Sequence, residues 1–136
     1  GNHFMMVSST LFHNNSAVSF GGGAYIFDRN EFVTFDNCTF HANQAVNGVG
    51  GGMSMYKDNH NLAIVSSVFR ENVAEIGGGM SMYANNRRLA FSLCLFERNF
   101  ASVDGAAVEI DNENWYMEFE SCQFLENHAM DDGGAV

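Results

Sequence analysis

Cys94-Leu95-Phe96-Glu97-Arg98-Asn99-Phe100-Ala101 reads as small residue, x, Phe, x, x, Asn, x, Ala, and the chain carries that pattern five times. The other copies run from Thr10 to Ala17, Cys38 to Ala45, Ser67 to Ala74 and Cys122 to Ala129. Their phenylalanines, Phe12, Phe40, Phe69, Phe96 and Phe124, lie 28, 29, 27 and 28 residues apart. A period of this length is the signature of a stacked repeat architecture, in which each unit buries its apolar face only against its neighbours.

Upstream of each Phe stand two wholly apolar columns. Five residues before it come Val7, Phe35, Ile64, Phe91 and Phe119; seven before it come Met5, Val33, Leu62, Leu89 and Met117. Met6, Thr34, Ala63, Ala90 and Glu118 separate them, which is the period-two pattern of a strand with one buried face. The small residue and the Phe form a second alternating pair one residue out of phase, so a bend is expected between two short strands. A third strand follows the glycine turns at Gly21-Gly22-Gly23, Gly50-Gly51-Gly52, Gly77-Gly78-Gly79, Asp104-Gly105 and Gly133-Gly134. Its inward residues are expected to be Ala24 and Ile26, Met53 and Met55, Met80 and Met82, and Ala106 and Val108.

Helical spacing is absent, and runs of four to six residues with period two are broken by Gly and Asn. Three short strands per ~28-residue repeat, with the same side chain returning at the same place, describe a parallel β-helix of about five coils occupying residues 1–136 as a single segment. In-register parallel coils place each residue on its counterpart about 4.8 Å away; hairpin-linked strands impose no such identity. The stacking also explains Asn15, Asn43, Asn72, Asn99 and Asn127, since an inward amide bonds to the amides above and below it. The chain starts and stops inside a repeat and is expected to be a piece of a longer array.

Sixteen acidic against six basic residues give a formal charge of -10, which disfavours nucleic acid and anionic membrane as partners. No apolar run is long enough to span a bilayer. Cys38, Cys94 and Cys122 share one column with Thr10 and Ser67, the pattern of a small semi-polar inward site rather than a metal site. Cys94 and Cys122 fall one rung apart, within disulfide distance but without an evident matching direction.

F-x-x-N paired with a Gly-Gly-Ala-type motif resembles the repeats of the chlamydial polymorphic outer-membrane proteins and, more broadly, the pectate lyase-like β-helices. F-x-x-N occurs in all five repeats; Gly133-Gly134-Ala135-Val136 matches the second motif in full, Gly22-Gly23-Ala24 in part, and Met53 and Met80 depart from it. The resemblance implies right-handed winding and an extracellular or cell-surface location. It also implies an adhesive role; the stacking itself implies a structural one, and unpaired strand edges at the ends imply end-to-end assembly into a fibre. The expected partners are therefore copies of the same chain, surface or matrix proteins, or glycans. Pectate lyase-like enzymes converge acids and a basic residue on adjacent coils, and the sequence offers instead Arg70 over Glu97, Glu71 over Arg98 and Arg98 over Glu126, which read as cross-rung charge pairs. No catalytic residue, metal ligand or cofactor is therefore expected. A polysaccharide lyase or hydrolase, or a glycan-binding module, is the alternative on the same fold.

Two surface features remain. Phe27, Tyr56 and Tyr83 face outward on three successive coils before Glu109 breaks the column, forming a possible contact strip. Asn14-Asn15-Ser16 and Asn37-Cys38-Thr39 are glycosylation sequons whose acceptors, Asn14 and Asn37, are expected to face solvent. His13 and His41 are expected to neighbour each other, while Asp104, Asp111, Glu113, Asp131 and Asp132 have no ordered ligand spacing for calcium. The loop from Asp111 to Tyr116 reads as lengthened by two residues.

Overall fold

The computed structural model describes all 136 residues. It is all-β, with no helix long and apolar enough to cross a membrane. The first coil lays down β1 (Met5–Ser8), β2 (Leu11–His13), β3 (Ser16–Ala17) and β4 (Ala24–Asp28). The second repeats this as β5 (Glu31–Asp36), β6 (Thr39–His41), β7 (Gln44–Ala45) and β8 (Met53–Lys57), and the third as β9 (His60–Val65), β10 (Val68–Arg70), β11 (Val73–Ala74) and β12 (Met80–Ala84). The fourth comprises β13 (Arg87–Ser92), β14 (Leu95–Glu97), β15 (Phe100–Ala101) and β16 (Val108–Ile110), followed by β17 (Trp115–Glu120), β18 (Gln123–Leu125) and β19 (His128–Ala129).

Corresponding strands pair in parallel into four sheets, three of five strands and one of four. The solenoid thus makes about four complete turns rather than five, with four strands per coil rather than three. The additional strand holds two residues, of which the alanine alone turns inward, so it is too short for alternation to mark it.

The expected columns hold. Met5 pairs with Val33 and Val7 with Phe35, while Phe69 lies between Phe40 and Phe96. The five Phe rings stack with centroids 4.5, 4.6, 4.8 and 5.1 Å apart and planes within 8° of parallel. Phe40, Phe69 and Phe96 are fully buried alongside Met53, Met55, Met80 and Met82. Burial of each ring is worth roughly 2–3 kcal/mol, so the interior is one continuous apolar column.

Single left-handed residues make the corners. Ser9, Asn37, Ser66, Leu93 and Ser121 (φ 47–55°) form the bend expected ahead of the Cys/Ser/Thr column. Asn14, Ala42, Glu71, Arg98 and Glu126 do the same ahead of the asparagine column. At the glycine turn the first glycine has positive φ, while the second and third have no room for a side chain: a Cβ on Gly51 would lie 2.4 Å from Gly78 O, and one on Gly52 3.1 Å from the Asn72 amide nitrogen.

That turn corrects the expected register of the fourth coil. Met80 pairs with Val108 and Met82 with Ile110, so Gly105 corresponds to the first turn glycine and Ala106 and Ala107 replace the other two. The inward residues there are Val108 and Ile110, not Ala106 and Val108. In the same register Gly133-Gly134-Ala135-Val136 overlies Gly105-Ala106-Ala107-Val108, one position out of step with the match at Gly22-Gly23-Ala24. No extra residues lie between Asp111 and Tyr116. All variation in coil length falls between the inward Ala and the first Gly, the span from Ala45 to Gly50 being the longest and that from Ala74 to Gly77 the shortest.

Candidate functional site

The asparagine column is bonded as its stacking requires. Asn72 Nδ2 donates to Asn99 Oδ1 (3.0 Å) and to Phe40 O (2.9 Å), and its Oδ1 accepts from the backbone N and Nδ2 of Asn43 (3.0 and 3.1 Å). Asn15, Asn43, Asn99 and Asn127 continue the chain of amides. Asn43, Asn72 and Asn99 therefore each fasten the carbonyl of a core Phe in the preceding coil to the coil that follows.

A second ladder, not anticipated from the sequence, repeats this arrangement on another corner. Asn2, Asn30, Asn59, Asn86 and Asn114 are linked amide to amide at 2.9–3.3 Å, and Asn59 and Asn86 are fully buried. Asn59, Asn86 and Asn114 donate to the carbonyls of Phe27, Tyr56 and Tyr83 at 3.3, 3.3 and 3.1 Å. An aromatic residue again stands three positions before Asn30, Asn59 and Asn86, with Asp111 in that place before Asn114, so the signal was a second F/Y-x-x-N in three successive coils. It escaped notice because these rings point outward and only the inward Phe column advertised the core.

The second ladder holds the aromatic strip in place. Phe27 and Tyr56 stack at 5.4 Å and 3°, and Tyr56 and Tyr83 at 5.2 Å and 4°. Lys57 Nζ lies 5.7 Å from the Tyr56 ring centroid, within cation–π range. Because the rings lie face to face, the strip presents mainly ring edges to solvent, and Phe27 and Tyr83 are the more exposed members. Asp111, not Glu109, follows Tyr83 in this column; Glu109 lies opposite Ser81 one column over.

Beside the strip, the irregular loop folds back along the sheet of β4, β8, β12 and β16. Phe20, Val49 and Ile76 bridge from coil to coil there, and between that loop and the strip runs an open groove of about 370 Å³. Its floor is the column of Ser54 and Ser81, both almost fully buried. Tyr25 occupies the same column in the first coil and stacks on Phe20 at 5.3 Å, filling that end. In the fourth coil all three columns turn acidic together: Asp104 follows Ile76, Glu109 follows Ser81 and Asp111 follows Tyr83. Burial, and then the charges of Asp104 and Asp111, raise the Glu109 pKa above the ordinary carboxylate value.

The remaining residues singled out in the sequence are placed as follows. Arg70 Nε lies 2.7 Å from Glu97 and Arg98 Nε 2.7 Å from Glu126. Glu71, although level with Arg98, bonds instead to His41 Nε2 at 3.2 Å, and Arg98 reaches Glu97 at 3.7 Å. His13 and His41 stack at 4.8 Å. All three cysteines are free. The sulfurs turn toward backbone carbonyls, Cys94 Sγ to Ile64 O at 3.3 Å and Cys122 Sγ to Phe91 O at 3.5 Å, as Ser67 Oγ turns to Val65 O at 2.8 Å. Burial pushes the Cys94 thiol up to about 11. Asn14 and Asn37 are both exposed, and Asn37 Nδ2 donates to Ser9 Oγ at 3.2 Å.

The chain matches no protein-family model, no curated protein and no solved structure.

Proposed function

We propose that this chain is a non-catalytic structural or adhesive segment of an extracellular or cell-surface protein, a stiff post that carries an acidic, aromatic-edged surface. The observation that supports this reading is where the polar groups go. The buried asparagines of both ladders spend their amides on the next coil and on the aromatic carbonyls of the preceding one. Arg70 and Arg98 on the outer face are paired across rungs with Glu97 and Glu126. Such bonds resist separation of the coils. The right-handed winding and the kinship with surface-displayed adhesins rest on the F-x-x-N and Gly-Gly-Ala resemblance.

The exposed strip is the contact face in this reading, for a copy of the same chain, a surface or matrix protein, or a glycan. Single-molecule pulling tests the mechanical role. A post of this kind gives one high-force unfolding event per segment, lowered in Asn72→Ala; peeling of coils one at a time at low force, or turnover of a polysaccharide panel, would refute it. Loss of partner capture in the double variant Tyr56→Ser/Tyr83→Ser is the expected mark of the strip. Sugar added at Asn14 and Asn37 on secretion from a eukaryotic cell, read by intact mass, would agree with an exported chain.

A further inference from the structure

The groove beside the strip has a composition that a purely mechanical role leaves unused. Its walls are Val49 and Ile76 on one side and the Tyr56 and Tyr83 rings on the other. Its floor is Ser54 and Ser81, each more than nine-tenths buried, whose hydroxyls make no hydrogen bond within the chain and open into the groove. One end is filled by the stacked pair Tyr25 and Phe20. At the other end Glu109 and Asp111 line the groove, with Asp104 level with them in the adjoining column.

From this arrangement we propose that the groove receives the side chain of a lysine from a partner polypeptide, its methylenes lying along Val49, Ile76 and the tyrosine rings and its ammonium meeting Glu109 and Asp111. Charge complementarity selects a cation, and the apolar length ahead of the carboxylates selects a long alkyl chain bearing it. The free hydroxyl of Ser81, one rung from Glu109, adds an acceptor for the ammonium group. These carboxylates do not form a ligand set for a metal ion. A bound cation would also relieve the repulsion that, with burial, raises the Glu109 pKa. The groove is open along its length, so a free amine would remain half in water. A lysine brings a backbone that can pack on the exposed edges of Phe27 and Tyr83. The proposal does not depend on the mechanical reading above, which would survive its failure.

The test is backbone-amide NMR titration of the chain with four probes: the capped peptides acetyl-Gly-Lys-Gly-amide, acetyl-Gly-norleucine-Gly-amide and acetyl-Gly-Arg-Gly-amide, and 1,5-diaminopentane. The lysine peptide is expected to shift Ile76, Ser81, Tyr83 and Glu109 saturably and to bind about tenfold more tightly than the norleucine isostere. In Glu109→Gln/Asp111→Asn the advantage of lysine over norleucine should vanish. Equal binding of lysine and norleucine, shifts scattered over the acidic surface, or arginine matching lysine would overturn the proposal. Diaminopentane binding as tightly as the peptide would overturn the assignment to a partner's lysine. If the double variant fails to fold, the comparison of lysine with norleucine on the unaltered chain decides.

Discussion

At the scale of single residues, the account turns on side chains that bond to their own counterparts. Replacing Asn72 by alanine removes the acceptor of Asn43 N and of one Asn43 Nδ2 hydrogen, and takes one donor from Phe40 O. Each orphaned buried group costs about 1–3 kcal/mol, so a loss of roughly 3 kcal/mol or more is expected in urea unfolding. Asn59→Ala should cost a similar amount, because Asn59 makes the equivalent bonds in the second ladder. A negligible effect there would remove that ladder's structural role. Leu93 sits at φ 55° with its side chain largely in solvent, in a column that Asn37 also occupies. Leu93→Asn is expected to raise the thermal midpoint by relieving about 1 kcal/mol of left-handed strain. Cys94 supplies a pH dependence. Its thiol ionises at about 11 in the fold against 9.0 when unfolded, so its contribution is intact below 9.0 and is lost as the pH climbs through about 11. Cys94→Ser should flatten that part of the stability profile, Ser67 being the precedent for a hydroxyl in the column.

At the scale of elements, the glycine turn sets how closely coils approach. Gly51→Ala would press a methyl group to within 2.4 Å of Gly78 O and 2.5 Å of Val73 O. A cost on the order of 3 kcal/mol is expected, visible as a lower urea midpoint. The strands themselves were readable from the chain wherever alternation runs over three or more residues, as in β5 and β9. The Ser16–Ala17 strand and its counterparts were not, since two residues carry no period. The fourth-coil register was misread because Asp104-Gly105 resembles a shortened turn, whereas Ala106 and Ala107 complete it. That slip hid the groove: only in the true register do Asp104, Glu109 and Asp111 end three neighbouring columns on one rung. The outward strip was legible from the same alternation that gave the core. The second asparagine ladder behind it was present in every repeat and was overlooked for want of an inward aromatic partner.

At the scale of the whole molecule, the solenoid is a set of columns rather than a sequence of elements. Variation in coil length is confined to the span between Ala45 and Gly50 and its counterparts. A residue inserted there should leave the fold intact, while one inserted between Phe69 and Asn72 shifts every later column off its partner and should abolish cooperative unfolding. The claim beneath all of this is that the coils run parallel and in register. The most direct measurement is the pattern of interstrand proton contacts between β10 and β14 in an NMR NOESY spectrum. The account predicts that Val68 lies opposite Leu95 and Arg70 opposite Glu97, with the Phe69 and Phe96 rings in contact between them. Contacts pairing Val68 with Glu97 and Arg70 with Leu95 would mean antiparallel strands and would contradict it.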